Sequence, residues 1–272
     1  KHPEYYCLRG GKRLAVVAND AHDNEPCLTN PDVLRIVTDA VLAEIEANPD
    51  VGNVSVSQND NDKYCQCPQC AVIDKREGTP MGSLLTFVNQ VADAVAEKYP
   101  DVKVGTLAYW YTRKPPRTLK PRPNVQIQLC SIECCLIHAI DDPSCPKNID
   151  FCRDMREWGK ICDQIFIWNY NTNFSNYLLP LPNLRVIEPN IRYFLANKAR
   201  GVFMQAAGNA NGAELSELRA YIISGLLWDP SRNGQQLMDE FLDLHYGPAA
   251  GPIRDYINHI HDKAEASGKH HN

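Results

Sequence analysis

The chain of 272 residues has no apolar run approaching the ~20 residues that cross a bilayer, so no membrane-spanning helix is expected. It also lacks a basic surplus. Lys and Arg total 28 against 33 Asp and Glu, a net charge of -5 with the signs mixed, which argues against a nucleic-acid partner. No glycine-rich loop follows any apolar strand, which removes the usual nucleotide cradle, and the eight histidines form no H-E-x-x-H pair, which removes the common helical zinc-hydrolase signature. The sequence opens without Met and without a basic-then-apolar leader. Any signal peptide is therefore expected to lie outside it, and the sequence reads as an excised piece.

What is abundant is cysteine. Eleven is an odd number that cannot pair completely within one molecule, and by itself it does not choose between an oxidising compartment and metal binding. Three of the eleven crowd into one stretch, VSVSQNDNDKYCQCPQC, from Val54 to Cys70. A β-branched strand runs there into a cluster of amides and carboxylates, Gln58 to Asp62, and then into Cys65, Cys67 and Cys70. These thiols constrain the loop through a metal, a disulfide or burial. As a structural zinc site they need a fourth ligand, His22 or Cys27, although the usual paired spacing of zinc motifs is absent. His2, His22, His138 and His245 read as surface or satisfied core residues.

Elsewhere the pattern strand, polar loop, helix repeats. Residues 1–30 read as an irregular surface region whose turn signals include Asn24-Glu25-Pro26. Asn30 or Thr29 then caps a helix with Pro31 at its first position and Val33, Ile36, Val37, Val41 and Ile45 at helical spacing. A helix from Ser83 to Tyr99 follows the cysteine loop. Strands at Val102–Tyr109, Val125–Leu129, Gln164–Ile167 and Gly201–Gln205 each empty into a loop with functional groups. Helices are expected at Phe151–Cys162 and Ile191–Lys198, and the tail reads as two or three more, with apolar spacing at Leu218, Ile222 and Leu226 and again at Leu237, Phe241 and Leu244.

Neighbouring strands of one direction need long crossovers, so the repeat predicts an α/β fold with a parallel sheet of TIM-barrel-like (β/α) units. Five clear units fall short of eight. The chain is therefore either the C-terminal portion of a barrel or a barrel with weakly patterned strands near Leu14. The expected organisation is a barrel-like catalytic region over 1–214 and a helical C-terminal extension over 215–272.

The SQND strand mouth, the CxCxxC loop, TLAYWYTRKPP, CSIECC, IWNY followed by NF and LLPLPN, and the AELSELRAYI tail with LLWDP resemble, in that order and nearly end to end, the bacterial DUF4838 domain family. That family is associated with glycoside hydrolase family 163, endo-β-N-acetylglucosaminidases that act on complex N-glycans from a TIM-barrel-like catalytic domain. The resemblance implies a glycan or glycoprotein substrate and a periplasmic or cell-surface location. Two positions depart from the family pattern: Asn169 stands where Asp is usual, and Ala213 where glycine usually precedes the acidic residue matching Glu214.

Glycoside cleavage normally uses two carboxyl groups, but an N-acetyl sugar can attack with its own acetamide oxygen, and the protein then supplies an acid and a polar group that orients the acetamide. Within the resemblance, Asp60 is the expected general acid/base and Asn59 the orienting group, with turn capping by both as the plain alternative. Glu133, set among Cys130, Cys134 and Cys135, is the expected second catalytic carboxyl or else a salt-bridge partner. Glu214 competes for that role or begins a helix. Tyr109, Trp168, Asn169, Tyr170 and Glu214 are the expected substrate-binding residues, the aromatic rings suited to stacking on sugar faces and equally to ordinary packing. The function expected is retaining, substrate-assisted hydrolysis of N-acetylglucosamine-containing glycans. The alternative is a glycan-binding module whose active site has degenerated, which Asn169 makes thinkable.

Overall fold

The computed structural model describes residues 2–14, 24–208 and 211–271. His22 and most of the apolar piece after Leu14 lie outside the described residues. Two compact units are present, Lys1–Cys130 with Glu157–Phe166, and Ser131–Arg156 with Ile167–Asn272.

Near the start of the first unit is a hairpin of two short antiparallel strands, β1 (Leu8–Arg9) and β2 (Lys12–Arg13), where the sequence reads as an irregular surface region with, at most, weakly patterned strands near Leu14. Helix α1 spans Pro31–Ala47. Its start follows from the residues: Asn30 accepts from the backbone N–H groups of Asp32 and Val33, satisfying two donors that have no helical partner, and Pro31 occupies a position where a missing N–H costs nothing. After β3 (Asn53–Ser55), the cysteine segment is not a loop throughout. It turns at Cys67 into α2 (Pro68–Glu77), again with proline first, and Gly78 closes that helix at φ 75. Short polar helices with a weak apolar stripe are poorly announced by periodicity, which is why α2 escapes the sequence reading.

Glu77, the last residue of α2, is fully enclosed. It accepts hydrogen bonds from Thr118 N (2.8 Å), Thr118 Oγ1 (2.7 Å), Leu119 N (3.1 Å) and Arg76 Nε (2.8 Å). Burial alone raises a carboxyl pKa. Here the four donors outweigh it and pull Glu77 down to about 2.

Helix α3 (Met81–Lys98) buries Leu84, Leu85, Phe87, Val88, Val91 and Val95. Strands β4 (Lys103–Ala108) and β5 (Val125–Cys130) follow, parallel to β3 and to each other. In this register Val54, Val104, Thr106, Val125, Ile127 and Leu129 share the buried face, whereas Asn53, Ser55, Gln126 and Gln128 share the other, which is exposed or half-buried. Asn53 reaches across β4 to donate to Gln126 Oε1 at 2.9 Å, and it passes over Gly105, where a Cβ would lie 2.9 Å from Asn53 Oδ1. Glycine at 105 is what lets this polar bridge lie flat on the sheet.

In the sheet the strands are ordered β3-β4-β5-β6-β7, with β6 at Ile165–Tyr170 and β7 at Gly201–Gln205. The order follows the chain without reversal. A doubly wound sheet reverses at a switch point; this α/β fold winds as a barrel does.

The second unit holds α4 (Pro146–Trp158) as far as Arg156, α5 (Leu184–Ala196), α6 (Ser216–Trp228), α7 (Gly234–Tyr246) and α8 (Ala250–Ser267). Both α4 and α5 start earlier than their apolar spacing suggests, and α5 carries Pro189 in its interior. The tail is three helices. Leu184, Ile187 and Ile191 of α5 join Leu218, Ile222 and Leu226 of α6, Leu237 and Leu242 of α7 and Ile257 of α8 in one apolar cluster, while Leu244, expected on the packed face, is exposed.

Candidate active site and metal centre

In the first unit, Asp60 and Tyr109 meet. Asp60 follows β3, Tyr109 follows β4, and the tyrosine hydroxyl donates to Asp60 Oδ1 at 2.8 Å. Asp60 is exposed and Tyr109 half-buried, so the pair is open to solvent while anchored on its inner side. The anchor is Gln58, whose amide donates to Tyr109 O (3.0 Å) and Thr112 Oγ1 (2.8 Å) and whose Oε1 is buried with no hydrogen-bond partner. Trp110 sits beside this pair at φ 53, a left-handed conformation that an aromatic residue adopts only at a cost of about 1 kcal/mol.

Asn59 is held on both sides. Its Nδ2 donates to Asn24 O at 2.6 Å, and its backbone N–H donates to Glu25 Oε1 at 2.7 Å. Glu25 is the residue the sequence reading misses: in the text it looks like part of a turn, Asn24-Glu25-Pro26, whereas in the fold it is a buried carboxyl. Desolvation pushes its pKa up to about 7 against the opposing pull of the Asn59 N–H. No local signal marks it, because burial of Glu25 is decided by residues more than thirty positions away. Glu25 also lies on a cavity of about 580 Å³, otherwise mostly apolar, lined by α1, β3 and α3 together with Gln58 and Tyr111.

Close by in the same unit, Cys27, Cys65, Cys67 and Cys70 bring their four sulfurs within 4.8 Å of one another. Cys27 is thus a fourth donor beside the three that stand close in sequence. The Cys27–Cys67 separation is 3.7 Å, against the ~3.8 Å edge of a tetrahedron with metal–sulfur bonds of about 2.3 Å. Leu8 N donates to Cys65 Sγ at 3.3 Å and Arg13 Nη1 approaches it at 3.8 Å, contacts that suit a thiolate. Four thiols this close cannot ionise independently: hydrogen bonding among them drives Cys27 down and pushes Cys65 up to about 11. A cation would relieve that conflict. Among the described residues no cysteine forms a disulfide. The donor set fits a four-coordinate metal that joins the segment at Cys27 to the stretch leading into α2, with the β1–β2 hairpin hydrogen-bonded to Cys65 through Leu8 and Arg13.

In the second unit, Trp168, Asn169 and Tyr170 belong to β6 itself and not to a loop after it. Side chains alternate along a strand, so the three cannot all face the same way. Trp168 and Tyr170 share one face, with near-parallel rings 6.2 Å apart, and Phe174 and Tyr177 extend the aromatic row. Trp168 Nε1 donates to Gln205 Oε1 at 2.6 Å. Asn169 points to the opposite face, is buried, donates to Ser131 Oγ at 2.9 Å and accepts from Asn171 at 3.2 Å.

Glu133 is half-buried in the turn that follows β5. Glu214 sits two residues before α6 and pairs with Arg219, which is buried: Arg219 Nη2 donates to Glu214 Oε2 at 3.0 Å and Nη1 to its backbone carbonyl at 2.6 Å. Arg219 also donates to Asn183 Oδ1 and Leu181 O, while Glu214 Oε1 is buried with no hydrogen-bond partner. Leu215, at φ 46, makes the turn that lets Glu214 fold back on Arg219.

A family model described as "Domain of unknown function (DUF4838)" matches residues 1–258. No curated protein compared with the chain matches it. No helix among the described residues is long and apolar enough to cross a membrane.

Proposed function

The chain belongs to the DUF4838 family, and on that premise we propose that it is a glycoside hydrolase acting on N-acetylglucosamine-containing glycans, with its catalytic groups on the carboxyl ends of the strands of a TIM-barrel-like domain. The observation that carries the proposal is the Asp60–Tyr109 pair, a solvent-open carboxyl fixed by a phenol where two adjacent parallel strands end.

In this reading the Tyr109 hydroxyl occupies Asp60 Oδ1, so that Oδ2 carries the proton delivered to the glycosidic oxygen as the aglycone leaves. The substrate's acetamide oxygen closes on the anomeric carbon in the same step. Water then opens the cyclic intermediate and returns a proton to Asp60, and the configuration is retained. Asn59, held through Asn24 and Glu25, orients the acetamide. Within the second unit, the Trp168–Tyr170 ring pair is of the kind that stacks on sugar. The Cys27, Cys65, Cys67 and Cys70 cluster is a structural zinc site, closed by four protein ligands and taking no part in the chemistry.

The test is glycan release from a complex N-glycoprotein, followed by mass spectrometry, with Asp60→Asn as the variant. Cleavage in the chitobiose core that falls on the order of 10²–10⁴-fold in the variant is the expected result. Unchanged turnover removes Asp60 from the role. The row Trp168, Tyr170, Phe174 and Tyr177 favours a second reading, a glycan-binding module, and binding without any released product would select it.

A further inference from the structure

A second four-donor cluster lies in the second unit. Cys135 and His138 come from the turn after β5, Cys145 from the residue before α4, and His270 from the chain beyond α8. Their ligand atoms all lie within 4.8 Å of one another. Cys135 Sγ is 3.2 Å from His138 Nδ1, and Cys145 Sγ is 3.3 Å from His270 Nδ1. The two imidazole rings stand 4.6 Å apart at 56°. A tetrahedral zinc with about 2.3 Å bonds to sulfur and about 2.0–2.1 Å bonds to nitrogen needs sulfur–nitrogen edges of ~3.6 Å, close to what is present.

The surroundings are built for ligands. Asn148, fully buried, accepts from Cys135 N at 2.8 Å and donates to Ala139 O at 2.9 Å, with a longer contact to His138 O at 3.3 Å, so one side chain sets the turn that carries two of the donors. His271 N donates to Cys135 Sγ at 3.3 Å, and Leu136 N donates to His271 O at 2.7 Å. The backbone thus pins the tail beside the turn and delivers His270 to the cluster.

We infer that Cys135, His138, Cys145 and His270 form a second zinc site, of mixed sulfur and nitrogen donors. Two thiolates and two imidazoles in a tetrahedral arrangement select zinc over the hard cations, and a closed set of four protein ligands makes the site structural. Its effect is to clamp the segment 131–145, which includes Glu133, to the C-terminal tail. The inference does not depend on a glycosidase reaction.

The experiment is elemental analysis with X-ray absorption at the zinc edge on the intact zinc-loaded chain, beside the double variant His138→Ala/His270→Ala. The variant is expected to hold one zinc per chain fewer than the parent, and the parent's average zinc shell is expected to contain nitrogen as well as sulfur. Should the variant misfold, the nitrogen contribution in the parent decides alone. Equal zinc content in both proteins, or a parent whose zinc is bound by sulfur only or that binds no zinc, overturns the inference.

Discussion

The two four-donor clusters differ in how far along the chain their ligands are gathered. In the first unit three cysteines fall within Cys65–Cys70, and only Cys27 comes from elsewhere; in the second, His270 meets Cys145 across 125 residues. The first cluster uses four buried thiols, whereas the second ends on an exposed imidazole. A metal in the first would join the segment at Cys27 to the start of a helix around a buried sulfur cluster, and one in the second would fasten a tail. Loss of each donor set should therefore be felt differently.

The largest effect expected is from Cys67→Ala. It breaks a buried donor set around which β1, β2 and α2 are arranged, and on the order of 4 kcal/mol of stability should be lost in a thermal or denaturant melt of the zinc-loaded protein. His270→Ala should cost far less in the same melt. Equal losses would erase the distinction between the two clusters.

Comparable in size is Arg219→Met in the second unit. Removing the guanidinium leaves Glu214 buried without its counter-charge, a change that typically costs about 3–5 kcal/mol, and the double variant with Glu214→Gln should recover part of the loss. If the single variant melts like the parent, the pair is not holding the turn before α6.

The first unit carries its buried carboxyls in two opposite states, and this predicts a pH profile. Glu25, raised to about 7, favours its protonated form in the fold; its contribution is complete below about 4.5 and is lost as pH rises towards 7, at most ~3 kcal/mol. Asp74, raised by burial to about 6, acts in the same direction. Glu77, lowered to about 2, does the reverse: its contribution is present above about 4.5 and disappears as pH falls through 2. Glu25→Gln should flatten the loss between pH 4.5 and 7 in urea melts, and an unaltered slope would show that Glu25 is not the group responsible. The smallest effect is Gly105→Ala, which displaces Asn53 from Gln126 and should cost about 1 kcal/mol.

The outline of the fold is readable in the text. Asn30-Pro31 announces α1 because a cap and a first-turn proline act over three residues, and the alternation of Val125–Leu129 shows its strand because one face must be buried. The same local physics makes α2 and the β1–β2 hairpin hard to see, since neither carries an apolar period long enough to register. It also misplaces Trp168–Tyr170, whose polar and aromatic mixture resembles a loop but completes β6.

At the candidate site, the crowding of Cys65, Cys67 and Cys70 signals a constrained segment by proximity alone, and the Gln58–Asp62 cluster marks a strand end because nothing in it can be buried without partners. Long-range closure is a different matter. That Asn59 leans on Glu25, that Tyr109 rather than some other group meets Asp60, and that His138 and His270 stand beside two thiols are set by chain crossings that bring distant segments within bonding distance. Hydrogen bonds and ligand shells depend on separations of a few ångströms in space, and a linear pattern records only separations along the chain.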